Sequence, residues 1–206
     1  MYEEELINNN IQPNNKLLLN GYENYFYEYD DLSNKIQSHK SSRNKMHRYE
    51  KNCNLECHTI ITDTLRTRIF NLFNMWFKSH PNPSKGKLKL LQELLQNAPT
   101  IFILQYNNID IGCIICALND NYCLGEMGFD LCRCGYQNAT LFLDFFICKY
   151  IKENFNIDRY YIGGYVDGNT TLKKYKEKWA TGKLKTYGLN KDYFNNIINI
   201  LISRLI

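Results

Sequence analysis

No stretch of this sequence approaches 18 consecutive apolar residues, so no transmembrane helix is expected. Strong charge of one sign is missing as well. The formal net charge of +4 over 206 residues is too mild for a dedicated nucleic-acid binder, which gathers more positive charge on one face. The first fifteen residues, MYEEELINNNIQPNN, are acidic and then amide-rich, a pattern that does not suit a signal peptide. A cytoplasmic protein with reduced thiols is therefore expected. No internal repeat is visible. What remains is 44% hydrophobic, 14% aromatic and 22% charged, close to an ordinary globular domain and long enough to bury a core without staples.

The eight cysteines do not form a metal pattern. Cys113 and Cys116 sit in one apolar strand run, IGCIICAL, where their spacing turns them to opposite faces. Cys53 and Cys57-His58 supply no second close pair on a loop. No metal site is expected. The frequent Asn, Ile, Lys and Tyr share AT-rich codons and carry no functional signal.

Residues 1–20 read as a flexible lead-in, and 21–206 as one domain. DDLSNKIQSHKSSRNKMHRYEKN (30–52) has a narrow helical stripe of Leu32, Ile36, Met46 and Tyr49 on an otherwise basic helix. LECHTII (55–61) reads as a strand. Thr62 or Asp63 then caps a helix with Leu65, Ile69, Leu72, Phe73 and Trp76 at helical spacing. A short helix over 87–98 follows the breaker HPNPSKG. Three runs, 100–106, 111–118 and 122–130, separated by Asn/Asp turns, form an antiparallel meander. An apolar helix over 139–155, a strand over 158–164, a basic helix over 169–180, a strand over 183–189 and a closing helix over 192–206 complete the chain. A block of strands followed by a β–helix–β unit predicts an α+β fold. Its sheet is mixed but mostly antiparallel, with helices on both faces and a split between central strands where the parallel strand enters. Ligands favour such openings.

DRYYIGGYVDGNTTLKKYK (158–176) resembles a segment of Fem-type acyltransferases: a strand, Gly-Gly, a loop with Gly-Asn, then Leu-x-x-aromatic-Lys. The matching positions are Gly163, Gly164, Gly168, Asn169, Leu172, Tyr175 and Lys176. YEYDDLSNKIQSHKSSRNKMHRYEKN resembles the basic helix that opens such domains, including the C-terminal domain of the phosphatidylglycerol lysyltransferases. Glu126 and Gly135-Tyr136 match recurring positions of that family. The resemblance spans about 25 to 188. It implies a GNAT fold that transfers an acyl group to an amine, from acyl-CoA (acetyl-CoA first) or from aminoacyl-tRNA. Relatives carry two GNAT copies in tandem and this chain has room for one, so a homodimer would restore the pair. The pyrophosphate-loop pattern Arg/Gln-x-x-Gly-x-Gly/Ala has LCRCGYQNAT as its counterpart, with Arg133 at a different offset from Gly135.

Amide formation by direct attack needs a base for the amine, in-line positioning and a donor to the oxyanion. Glu126, inside the apolar strand YCLGEMGFD, is the first candidate base or amine ligand; the alternative is a solvent-facing carboxylate. Asp144, mid-helix in LFLDFF, either lines the acceptor pocket or pairs with a nearby cation. Asp130 is an alternative base or a cap for the loop after it. Arg133, Gly135, Tyr136, Gln137 and Asn138 are the donor-loop candidates, since N–H groups at a helix start receive phosphate, and Lys176 joins them. Gly163, Gly164 and Asn169 are placed beside the acceptor, paired glycines permitting close approach. Tyr175 is a candidate acid for the leaving group. Lys40, Arg43, Lys45 and Arg48 with Lys173, Lys174, Lys176, Lys178, Lys183 and Lys185 could form one basic surface for a CoA 3′-phosphate or a tRNA acceptor stem. The functional expectation is an N-acyltransferase acting on a small-molecule or peptide amine. Aminoacyl transfer from tRNA, or an inactive binding module of the same fold, is the alternative.

Overall fold

Alternation of apolar residues settles the two faces of the sheet. Ile101 and Ile103 are buried in one core, while Phe102 and Leu104, their neighbours in sequence, are buried in the other. The computed structural model describes residues 22–80, 86–97, 100–118, 122–163 and 170–186. The lead-in over 1–20, the closing helix over 192–206, Gly164, Gly168 and Asn169 lie outside the described residues.

Seven strands form one sheet: β1 (Tyr22–Glu28), β2 (Cys53–His58), β3 (Thr100–Tyr106), β4 (Ile109–Leu118), β5 (Cys123–Asp130), β6 (Arg159–Tyr161) and β7 (Gly182–Thr186). Their spatial order is β2-β3-β4-β5-β6-β1-β7. Every neighbouring pair is antiparallel except β5–β6. The helices are α1 (Tyr29–Ser38), α2 (Lys40–Asn52), α3 (Asp63–Ser79), α4 (Gly86–Gln96), α5 (Ala139–Phe155) and α6 (Thr170–Trp179). A core with Leu32, Met46, Phe142 and Trp179 covers one face, from α1, α2, α5 and α6; Leu65, Phe73 and Leu91 of α3 and α4 cover the other. The α+β class with a mixed sheet and helices on both faces is what the order of elements predicted. No described helix is long and apolar enough to cross a membrane.

Three local features differ from the sequence reading. The run 30–52 forms two helices, broken at His39, which is extended. There the Ser38 hydroxyl and His39 Nδ1 both sit on the Lys35 carbonyl, at 2.8 and 2.9 Å, a local alternative to helical bonding. β1 went unrecognised, although its aromatic run YENYFYE carries strand propensity. It lies between β6 and β7, so the first described strand is inside one half of the sheet and not at its edge. The 158–164 strand ends at Tyr161.

Two register shifts bear on the site. Between Leu104 and Gln105 the partner strand jumps from Gly112 to Asp110, leaving Ile111 as an extra residue. Between Ile115 and Cys116 the partner jumps from Met127 to Gly125, leaving Glu126 as the extra residue. Such a bulge re-aims side chains. It explains why Cys123 faces one core while Met127 and Phe129, at the same parity, face the other.

Helix α3 begins as its sequence predicts, with the Thr62 hydroxyl accepting from the Leu65 N–H at 3.2 Å. Removing that cap in Thr62→Ala is expected to cost about 1 kcal/mol. Thermal melting followed by circular dichroism should then shift down by about 2–4 °C.

Candidate functional site in the sheet split

Among the described residues, strands β5 and β6 pair only through Cys123–Tyr160 and Leu124–Tyr161. From Gly125 onward β5 continues without a β6 partner. Tyr160 helps wedge the opening: a Cβ on Gly125 would lie 2.7 Å from its hydroxyl, so the absence of a side chain at 125 is what lets this buried ring lie there. The opening is a cavity of about 370 Å³. It is reached from both sides of the sheet, by Asp144, Leu143 and Tyr175 from α5 and α6 and by Lys87 from α4.

Six sequence candidates meet at this cavity: Glu126, Asp130, Asp144, Gly163, Tyr175 and Lys176. Glu126, as the bulge residue of β5, is exposed to it. Asp144 is 4% exposed, held on a helix that is apolar on nearly all sides. Its Oδ2 accepts the Tyr175 hydroxyl at 3.0 Å. Burial pushes its carboxyl up to about 7; the nearby Asp130 charge adds to this and the Tyr175 bond opposes it. The buried Tyr27 hydroxyl is near enough to feel the Asp144 charge but is outside hydrogen-bond geometry. Tyr175 itself is pushed well above its ordinary value, by burial first and then by the neighbouring Tyr27 and Asp144. A phenol so shifted is a poor proton donor to a leaving group, and its proton already serves Asp144.

Lys176 is 5% exposed. Its Nζ donates to the carbonyls of Ile162 at 2.5 Å and Gly163 at 2.8 Å. Burial lowers its ammonium to about 8, with Asp144 acting in the opposite direction. Gly163 has φ +70 and its carbonyl also accepts the Tyr25 N–H at 3.2 Å, so the glycine ties β1 to α6 at the mouth of the split. Asp130 lines the cavity too, yet its oxygens are engaged: Oδ1 accepts the Cys132 N–H at 2.8 Å and Oδ2 the Thr140 hydroxyl at 2.7 Å. It fastens the start of α5.

The loop candidates fall elsewhere. Gly135, Tyr136 and Gln137 line a second cavity, of about 360 Å³, together with Lys45, Arg48, Tyr49 and Tyr106. The two cavities share no lining residue. Arg133 stands in a short 3-10 turn (Cys132–Cys134), exposed and in neither cavity. Asn138 precedes α5 with φ 67, and its side chain makes no cap bond. The single basic surface expected from the lysines divides accordingly. Lys45 and Arg48 serve the second cavity, Lys176 is buried at the first, and Lys173 and Lys183 pair with Glu177 and Glu23 at 3.8 and 2.6 Å. Sequence reasoning missed Tyr160 and Lys87. Tyr160 carried a usable signal, since a large ring in the strand before a Gly-Gly pair must pack somewhere; Lys87 carried none.

No family model matches the chain, and no curated protein does. Its fold is similar to that of a number of solved structures, including the following three. A conserved protein of unknown function from Bacteroides thetaiotaomicron aligns with a TM-score of 0.64 at 16% identity, over 90% of this chain and 66% of that one. L-PGS from Bacillus licheniformis aligns with a TM-score of 0.57 at 13% identity, over 92% and 66%. The C-terminal domain assigned to a lysylphosphatidylglycerol synthetase from Agrobacterium fabrum aligns with a TM-score of 0.56 at 8% identity, over 89% and 66%. The chain thus spans just under two thirds of the length of each. At these identities the likeness is one of fold.

Proposed function

We propose that the chain is a GNAT-type transferase that moves an acyl or aminoacyl group from an activated ester or thioester to a primary amine in the sheet split. The observation that carries this reading is Asp144: a buried carboxyl at the cavity wall, held near neutral pH and oriented by the Tyr175 hydroxyl. A base works best when it titrates near the working pH. Glu126, exposed at the mouth, holds the incoming ammonium. The ammonium first gives one proton to solvent, which leaves a neutral amine with a free lone pair. Asp144 takes a second proton as that nitrogen attacks the carbonyl carbon. The N–C bond forms, the C–O or C–S bond to the carrier breaks, and the carrier leaves with this second proton, passed on from Asp144. Lys176, charged below about pH 8, favours the negative charge that develops on the carbonyl oxygen. No covalent enzyme intermediate is needed.

Two donors fit this scheme. The sequence resemblance put acetyl-CoA first. The fold likeness to proteins named for lysylphosphatidylglycerol synthesis supports an aminoacyl ester carried by tRNA. An inactive module would be favoured by an exposed Glu126 with no cavity near Gly163; Glu126 is exposed, but the cavity reaches Gly163.

The test offers the purified protein radiolabelled aminoacyl-tRNA or acetyl-CoA, each with amino-sugar and peptide amines. Transfer from one donor, rising with pH through about 7, is expected. Absence of transfer from both, with neither donor raising the melting temperature, refutes the reading.

A further inference from the structure

We propose that Tyr27 is a positioning residue for Asp144, its hydroxyl serving as a second donor to the carboxylate once Asp144 ionises. That Asp144 acts as a base rests on the transfer reading above; that Tyr27 serves its carboxylate does not. Tyr27 lies on β1 opposite Tyr160 of β6, with the two rings 6.2 Å apart. Its side chain is wholly buried in the core on the α5 face of the sheet. Its hydroxyl oxygen is buried as well and has no hydrogen-bond partner. Buried polar atoms are nearly always bonded, and one left alone bears the cost of its lost hydration. A phenylalanine would fill the same place without that cost, as Phe142 and Phe145 do in the same core. The hydroxyl therefore calls for a reason.

What the hydroxyl faces supplies one. Asp144 of α5 and Tyr175 of α6 both lie close enough to act on it, with the Cys148 thiol one turn further along α5. Of these only Asp144 takes up a charge near neutral pH. Its Oδ2 accepts the Tyr175 hydroxyl, and its carboxyl has no other hydrogen bond among the described residues. A carboxylate accepts at both oxygens. Buried and served by one phenol, it is poorly compensated for lost water; a second donor favours the charged form. The other groups facing Asp144 do not fill that role. Asp130 opposes its charge, and Lys176 favours it but is held by the carbonyls of Ile162 and Gly163. Burial keeps the Cys148 thiol and the Tyr160 phenol neutral. Tyr27 is the buried donor still without an acceptor. By donating to the carboxylate it lowers the pH at which Asp144 ionises and holds the carboxylate from the β1 side, with Tyr175 holding it from α6.

The experiment follows the carboxyl carbon of Asp144 by NMR in the full chain carrying carbon-13 aspartate, with Asp144→Asn identifying the signal. Tyr27→Phe is expected to raise the pH at which Asp144 titrates by about one pH unit, a tenfold change in its proton affinity. The pH profile of transfer should move upward by the same amount. Tyr49→Phe removes another buried hydroxyl, the donor to the Gln137 carbonyl; it should lower the melting temperature and leave the Asp144 titration in place. A merely structural Tyr27 would behave as Tyr49 does. Melting supplies an independent measure. At pH 5, where Asp144 is protonated, Tyr27→Phe should melt no lower than wild type; at pH 8 it should melt lower, because its Asp144 ionises less readily in the fold. In the Asp144→Asn background Tyr27→Phe should show no such dependence on pH. An Asp144 titration unmoved or lowered in Tyr27→Phe overturns the proposal, as does the same pH dependence with Asn at 144. A raised titration in a protein without transfer activity supports the contact and counts against the transfer reading alone.

Discussion

Asp144→Asn is expected to abolish transfer while making the protein more stable near and above neutral pH. The activity loss should be about 10²–10⁴-fold, the usual contribution of a positioned base, since Asn keeps the shape and the Tyr175 contact but accepts no proton. The stability gain follows from the same carboxyl. In the unfolded chain an Asp loses its proton near 3.9; in the fold Asp144 holds it up to about 7. Between those values folding takes up a proton. The stability this gives is complete below about pH 4 and is lost as pH rises through about 7, at roughly 1.4 kcal/mol per unit. Asn carries no such pH dependence. From pH 5 to 7.5 the wild type should therefore lose about 2–3 kcal/mol relative to Asp144→Asn, a large part of an ordinary folding free energy. Urea midpoints of both proteins across that range measure it. Lys176, with its ammonium lowered to about 8, titrates only at the top of that range and is present in both proteins. Parallel pH profiles for the two proteins would mean that Asp144 ionises normally and cannot be poised as the base.

The same residue shows how far the sequence could be read. Asp144 stood out as an acid among LFLDFF, because an unpaired charge on an apolar helix is costly. Which partner relieved it was not legible. The expected alternative was a Lys or Arg; the direct bond comes from Tyr175, 31 residues on, and only the packing of α6 against α5 brings them together. Glu126 was legible as a carboxylate in a strand, but its aim was not. Strict alternation is interrupted by a bulge that depends on the register with β4, and register is a property of two strands, not one. The split was inferred from element order alone, because a parallel strand after a meander must enter beside an existing edge. The separation of Gly135–Gln137 from that opening was invisible. It depends on how α2 docks, and α2 was read as the continuation of α1. The break at His39 comes from two side chains competing for one carbonyl, a signal too local to outweigh a continuous helical stripe.

Gly125→Val tests the opening itself. A Cβ at 125 would sit 2.7 Å from the Tyr160 hydroxyl and 3.3 Å from the ring carbon that bears it. Tyr160 has little room to yield: it is 1% exposed and its ring lies 6.2 Å from that of Tyr27. Valine adds two further methyl groups on a rigid χ1. Crowding of this kind costs about 1–3 kcal/mol. The loss should appear as a drop in urea midpoint with an unchanged slope, because the same surface is exposed on unfolding. The cavity should shrink where β5 leaves β6. Transfer activity should fall further than stability explains, measured at a denaturant-free temperature where both proteins are fully folded. Gly128→Ala is the matched comparison: its Cβ would approach Ile114 at 3.3 Å, on the same strand and the same cavity but away from the Tyr160 wedge. If Gly125→Val kept full activity with the expected loss of stability, the reacting groups would not meet at that point of the split, and Asp144 would be a buried acid without a substrate beside it.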